Sequence, residues 1–296
     1  MNALILVNGY QENVSAKKKQ ERLFEELVRA GCAVTVMKAT RIPAFSTGDR
    51  SGFLSAGRFD FCIDMDKDLY LAKAISQEMP LFNSYRSLVL SDDKMSSLLA
   101  LRGQGIEAPL TIAAPLCYLE APDPREVRSF LDIVQERLSY PLVYKACHGS
   151  LGRQVLRIDD RKALEEVYDR NKAIPHLYEK YLSAHAGHDY RVLVVGGKVI
   201  AAMERVNEKD FRSNIALGGK GRDRTKDLPE DFRRMAVCSA KALDLDYAGI
   251  DLAIGERGEP LFLEANGNAF LTEIEAVTGV NVAKAFVDWI LEKLKA

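Results

Sequence analysis

The chain has 296 residues, roughly two domains' worth, with 41 basic and 42 acidic side chains and a formal charge of −1. That balance excludes binding to nucleic acid or an acidic membrane by bulk charge, and 28% charged and 47% apolar residues are ordinary for a globular protein. Five dispersed cysteines with no CxxC pair argue against a disulfide framework and predict reduced thiols and a cytoplasmic location, and no apolar run approaches the roughly 18 residues of a membrane span.

The opening residues lack basic side chains and read as a buried strand rather than a signal peptide, with the strand itself at 4–7. A helix is predicted over 16–30 with Leu23, Phe24, Leu27 and Val28 on its buried face. Gly31 then caps it and 32–37 alternates as a second strand. Strands at 59–63 and 81–82, with a helix at 69–78 between them, complete a βαβ pattern and so a small parallel sheet. Ligands of such sheets sit at the carboxyl ends of the strands, here Asn8-Gly9 and residues 64–68. In the latter, Lys67 could hold a substrate carboxylate, or the acidic residues around it could simply cap the next helix. Ser91-Asp92 can cap a helix over 95–104, the turn-rich 115–124 marks a boundary, and a helix at 125–138 leads into a strand at 142–146. The pattern then changes to antiparallel hairpins, one at 192–201 turning at Gly196-Gly197 and one at 250–265 turning at Arg257-Gly258.

Counting back from Arg257-Gly258 pairs Asp251 with Glu264 and puts Asn266 on the same face. Oxygen donors without His or Cys suit Mg²⁺ beside substrate phosphates; the alternative is a solvated face opposite a buried Leu261, Leu263 and Ala265. Lys145 ends a strand before Gly149-Ser150-Leu151-Gly152, where backbone N–H groups can approach phosphate oxygens; a plain turn with one strand-end lysine explains the same residues. The Gly-Gly hairpin pairs Arg191 with Ala202 and sets Asp189 across from Glu204, while residues 222–226 read as a solvated charged loop. His185 and His188 have no third ligand in view.

In order, these signals and their neighbours are Asp93-Lys94, Pro141-Leu142-Val143-Tyr144-Lys145, the glycine loop, Tyr178-Glu179-Lys180-Tyr181-Leu182 and Asp189-x-Arg191. Glu204-Arg205, Asp210-Phe211-Arg212-Ser213-Asn214, Gly218-Gly219, Gly249-Ile250-Asp251-Leu252, Leu263-Glu264-Ala265-Asn266 and Thr278-Gly279-Val280-Asn281 follow. From about residue 60 onward this series resembles the RimK-type branch of the ATP-grasp superfamily. The resemblance implies an α/β chain of the α+β ATP-grasp kind. Residues 1–90 would be a Rossmann-like pre-ATP-grasp domain and 91–296 the ATP-grasp domain, with a small lid lobe at about 140–182 and a large lobe at about 183–296.

It further implies an ATP-dependent carboxylate–amine ligase working through an acyl phosphate, with a glutamate-like amino acid as one substrate. Lys94, Lys145, Gly149, Ser150 and Gly152 would contact the nucleotide phosphates, the last three as a closing lid. Glu179, Lys180, Tyr181 and Leu182 would hold adenine, and Asp189 ribose. Asp251, Glu264 and Asn266 would hold magnesium, Glu264 bridging two ions, with Mn²⁺ as an alternative. Arg205, Arg212 and Asn214 would face the γ-phosphate and the acyl substrate. The partners implied are a small-molecule carboxylate and amine, or a peptide or protein terminus as acceptor, and a homodimer or homotetramer; neither nucleic acid nor membrane is expected. The sequence departs from the family at Gly267-Asn268-Ala269-Phe270, where many RimK-type enzymes carry Ser-Pro-Gly, which leaves the acceptor open. Two alternatives stand beside the ligase, a small-molecule kinase and a catalytically silent nucleotide-binding module.

Overall fold

The computed structural model describes residues 1–10, 14–54, 57–149, 152 and 154–295. Its first part comprises β1 (Asn2–Val7), α1 (Val14–Arg29), β2 (Ala33–Lys38), a hairpin of β3 (Ala44–Ser46) and β4 (Ser51–Phe53), β5 (Phe61–Asp64), α2 (Leu69–Ser76) and β6 (Leu81–Phe82). Four of these strands form a parallel sheet in the order β2-β1-β5-β6, as the βαβ pattern predicts, whereas the β3–β4 hairpin has no counterpart in that prediction. Covering both faces of β1 and β5 explains why Leu4, Ile5, Leu6, Phe61, Cys62 and Ile63 read as continuous apolar runs. The buried face of α1 differs from the predicted one. It carries Lys19, Leu23, Glu26 and Leu27, while Phe24 and Val28 are 39% and 49% exposed. At about 100° per residue, Phe24 and Val28 fall more than about 100° from the centre of the buried stripe.

Next come α3 (Tyr85–Asp92) and α4 (Lys94–Ala100), then β7 (Thr111–Ala113), α5 (Pro124–Leu138), β8 (Leu142–Ala146), β9 (Val155–Ile158), α6 (Arg161–Asn171) and β10 (His176–Lys180). Asp93, one residue beyond the expected cap, closes the start of α4 by accepting from the Ser96 N–H at 2.8 Å. The four strands form an antiparallel sheet, β7-β10-β8-β9, whose apolar face packs Leu142, Tyr144 and Tyr178 against Leu131, Val134 and Leu164 of α5 and α6.

The remainder is β11 (His188–Val195), β12 (Lys198–Val206), β13 (Lys220–Asp223), α7 (Glu230–Ala242), β14 (Tyr247–Ile254), β15 (Pro260–Asn266), α8 (Thr272–Thr278) and α9 (Val282–Lys293), with an antiparallel sheet in the order β13-β12-β11-β14-β15. Lys220–Asp223 is thus an edge strand, and Arg224, read as solvated, is ion-paired to Glu204 and Asp227. One hydrophobic cluster unites Ile5, Leu27 and Phe61 with Leu193, Met203, Phe286 and Ile290, so the parallel sheet and the large antiparallel sheet share a core. No described helix is long and apolar enough to cross a membrane.

Two bulges set the register on which the site depends. In β11–β12 the pairing passes from Val194–Val199 to Leu193–Ala201, leaving Ile200 over; Arg191 therefore faces Met203, and Asp189 faces Arg205 rather than Glu204. The β14–β15 turn is one residue longer than predicted, Gly255 N–H donating to Glu259 O, and the extra Leu263 restores the count so that Asp251 does face Glu264. This bulge changes the alternation: Phe262 and Ala265 enter the core, while Leu261 and Leu263 stay half-exposed.

Candidate active site

A cleft opens between the β7-β10-β8-β9 sheet and the large sheet, lined from both sides. The first sheet contributes Val143, Lys145, Val155 and Glu179, followed by Lys180, Tyr181 and Leu182; the second contributes Asp189, Arg205, Asp251, Ala253, Leu263 and Glu264. Lys94 reaches in from α4.

Each cation in the cleft is aimed by an anion or a carbonyl. Lys145 Nζ lies 2.6 Å from Glu179 Oε1, the two side chains rising from adjacent antiparallel strands. Lys94 Nζ is 3.5 Å from both Gly149 O and Glu264 Oε2, which puts one ammonium between the glycine loop and the candidate metal ligand. Deeper in, Arg191 grips Asp251 through two hydrogen bonds of 2.5 and 2.6 Å. Arg205 does the same to Asp189 at 2.7 and 2.6 Å, and its NH2 also lies 3.0 Å from Asp251. Burial opposes the charge on both guanidiniums, yet the facing carboxylates raise their pKa values further. Burial also opposes ionisation of Glu264, but Lys94, the Asn266 amide, Arg191 and Lys145 together hold its carboxyl down to about 2.

Asp251, Glu264 and Asn266 meet at the β14–β15 edge, with Asn266 Nδ2 donating to Glu264 Oε1 at 3.0 Å. Two carboxylates and an amide oxygen form a hard, oxygen-only donor set that fits Mg²⁺ when phosphate oxygens and water complete the shell. Among the described residues there is no group of three His, Cys, Asp or Glu side chains placed to hold a metal ion.

Other predicted site residues stand differently. Both oxygens of Asp189 accept from Arg205, so this carboxylate orients a guanidinium, as Asp251 does with both of its oxygens on Arg191. Arg212 lines the cleft, is held by Asp210 and donates to Gly152 O (2.9 Å) and Val155 O (3.3 Å), which ties its loop to the glycine loop and β9. Asn214 lines the cleft beside Gly152; that glycine has φ +68°, and a Cβ there would lie 2.8 Å from Asn214 Oδ1. The Lys180 N–H donates to Leu110 O, and the Tyr181 ring lies 6.0 Å from that of Phe211. Ser150, with Leu151 and Arg153, lies outside the described residues, so the lid expected over 149–152 is only partly within them. Asp68 caps α2, and Lys67 pairs with Asp92, so the capping account of 64–68 describes this stretch better than a free lysine does.

Sequence pattern does not mark Arg191, Lys19 or Asn83 as site residues. The period-two alternation comes closest for Arg191, because it sits two residues from Asp189 on the same strand face. Lys19, inside the run Lys17-Lys18-Lys19, gives no such signal.

Residues 91–290 match the family model described as the RimK-like ATP-grasp domain. A probable alpha-L-glutamate ligase from Enterobacter sp. (strain 638) is 36% identical over 211 residues, 70% of this chain and 66% of that protein. The ribosomal protein bS6–L-glutamate ligase of Escherichia fergusonii gives the same figures, so the chain aligns with just under two thirds of the length of each. Among solved structures, the ATP-grasp ligase PsnB complexed with minimal precursor, Mg and ADP superposes with a TM-score of 0.68 at 17% identity, covering 99% of this chain and 98% of that one.

Proposed function

The chain belongs to the RimK-like ATP-grasp family, and from that premise we propose that it is an ATP- and Mg²⁺-dependent ligase joining a carboxylate to an amine, with a glutamate-like amino acid as one substrate. The observation that carries the reading is the convergence of Lys94, Lys145, Arg205, Asp251 and Glu264 on one cleft. A carboxylate attacking a γ-phosphate brings two anions together, and only a site dense in fixed positive charge lowers that barrier. Lys145 and Lys94 neutralise the nucleotide phosphates. Arg205 and Arg191 are oriented by Asp189 and Asp251, and they face the charge that develops as the carboxylate oxygen bonds to phosphorus and ADP departs. Mg²⁺ held by Asp251, Glu264 and Asn266 would screen the phosphate charge and align the phosphoryl group. The amine then attacks the acyl carbon, inorganic phosphate leaves with the C–O bonding pair, and the amine's proton passes to solvent.

The name of one relative, a ribosomal protein bS6–L-glutamate ligase, and a PsnB structure complexed with a precursor peptide support a peptide or protein terminus as acceptor. Two magnesium ions, the division into domains at about residue 90, a homo-oligomeric state and a cytoplasmic location belong to this proposal as well. The test is ADP formation with Mg²⁺-ATP, L-glutamate and a panel of amino acids and short peptides, with products read by mass spectrometry. The expected product is lighter than its two substrates together by one water. A product heavier than one substrate by a phosphoryl group would replace the ligase with a kinase.

A further inference from the structure

The chain leaving the candidate metal ligands enters a loop held by side chains from three separate elements. Asn83, just after β6 and 2% exposed, donates through Nδ2 to Gly267 O at 2.6 Å and to Tyr247 O at 2.8 Å, and accepts from the Tyr247 N–H at 2.8 Å. Lys19 of α1 donates through Nζ to Asn268 Oδ1 at 2.6 Å and lies 4.7 Å from the centre of the Tyr247 ring. The Tyr247 hydroxyl in turn donates to Ala269 O at 2.8 Å. Gly267 permits the close approach, since a Cβ there would sit 2.8 Å from Ser91 Oγ. Three consecutive residues after Asn266 are therefore fixed one by one, two of them by the part of the chain that carries the parallel sheet.

The lysine is the informative member. An ammonium 98% removed from water is costly, and a Met or Leu would fill the same space without that cost. Burial pulls Lys19 down to about 7, with Asp64 opposing the shift. Charged or neutral, the amine keeps N–H bonds to give to Asn268, so the tie does not depend on its protonation state. Asn266, Gly267 and Asn268 remain only half-buried, leaving one side of this anchored loop open.

We infer that Lys19 is a positioning residue: through Asn268 it fixes the loop at 267–269 and so holds Asn266 and Glu264 in register against the part of the chain that carries the parallel sheet. The inference deepens the ligase reading and would place a determinant of substrate geometry some 249 positions away in sequence from the residue it holds.

The test compares Lys19→Met, Asn268→Ala and Asn268→Asp, the last keeping an oxygen acceptor for Nζ. Hydrogen exchange at the amides of 267–271, which needs no turnover, is expected to speed up about tenfold or more in the first two variants and to stay slow in Asn268→Asp. In steady state, kcat/KM for the carboxylate and amine substrates is expected to fall about ten- to a hundredfold in Lys19→Met and Asn268→Ala and to recover in Asn268→Asp. Unchanged loop exchange in Lys19→Met would overturn the inference whatever the kinetics, and so would a lower Tm with unchanged kcat and KM. A wild-type protein that forms no amide product would instead count against the ligase reading, while the exchange result still decides the role of Lys19.

Discussion

Among the described residues, the β7-β10-β8-β9 sheet meets the cleft with the Lys145–Glu179 pair and Lys180, which reaches Glu256, set among apolar side chains such as Val143 and Val155 and neighbouring glycines. The large sheet meets it with Asp189, Arg205 and Asp251 bonded to one another, Arg191 gripping Asp251 from behind, and Glu264 beside them. Only the second wall shares its core with the parallel sheet. The difference separates two tasks. A wall with few charged pairs and few anchors can bind a nucleotide and adjust to it, whereas a wall of mutually fixed charges is already arranged for the charge a phosphoryl and acyl transfer develops, which is where electrostatic catalysis gains most.

The sharpest way to break this comparison is to remove charge from each wall in turn. Glu264→Gln takes away a candidate metal ligand and is expected to cut ADP formation about 10³-fold while the Lys145–Glu179 pair stays in place; turnover near wild type in a coupled ADP assay would remove Glu264 from the chemistry. Arg205→Ala is expected to keep ATP binding and to lose turnover by about 10²-fold. Because it strands Asp189 and Asp251 without their partner, it should also cost about 3–5 kcal/mol of stability, read by urea unfolding. An Arg205→Ala protein as stable as wild type would mean that the network is not the rigid unit described. On the other wall, Glu179→Gln weakens the aim of Lys145 only, and a rise of about tenfold in the KM for ATP with a smaller change in kcat is expected from steady-state assays.

The smallest effect concerns pH. The folded state holds Lys19 at about 7 against an unfolded 10.5, so between these values the unfolded chain binds more protons and stability rises with pH. Asp64, raised to about 7 by burial first of all, with the Asp66 N–H lowering it and the Asp66 and Asp68 charges adding to it, contributes the opposite slope between 3.8 and 7. The Tm of wild type relative to Lys19→Met is therefore expected to climb by a few degrees from pH 7 to pH 9.5, measured by differential scanning calorimetry; a flat difference would contradict a depressed lysine.

Much of the molecule is legible in its sequence because local pattern carries it. The βαβ run, the Gly196-Gly197 hairpin and the strand at 142–146 map onto the elements they predict. What pattern misses is register and long-range burial. Asp251 and Glu264 pair as counted only because a longer turn and the Leu263 bulge cancel, whereas the Ile200 bulge moves Asp189 from Glu204 to Arg205 with nothing to offset it. Lys19 looks like one lysine in a solvated run, and only the packing of α1 against the carboxy-terminal part of the chain buries it. Asn83 is likewise an unremarked turn residue until Tyr247 and Gly267 fold around it.

The central claim is that a substrate carboxylate is activated by phosphoryl transfer before the amine attacks. Its most direct test is to supply the carboxylate substrate found in the turnover panel with ¹⁸O in both carboxyl oxygens and to follow the label. The account predicts one ¹⁸O in the released inorganic phosphate for each amide formed, the other staying in the amide carbonyl. Inorganic phosphate free of label, with amide still accumulating, would contradict it.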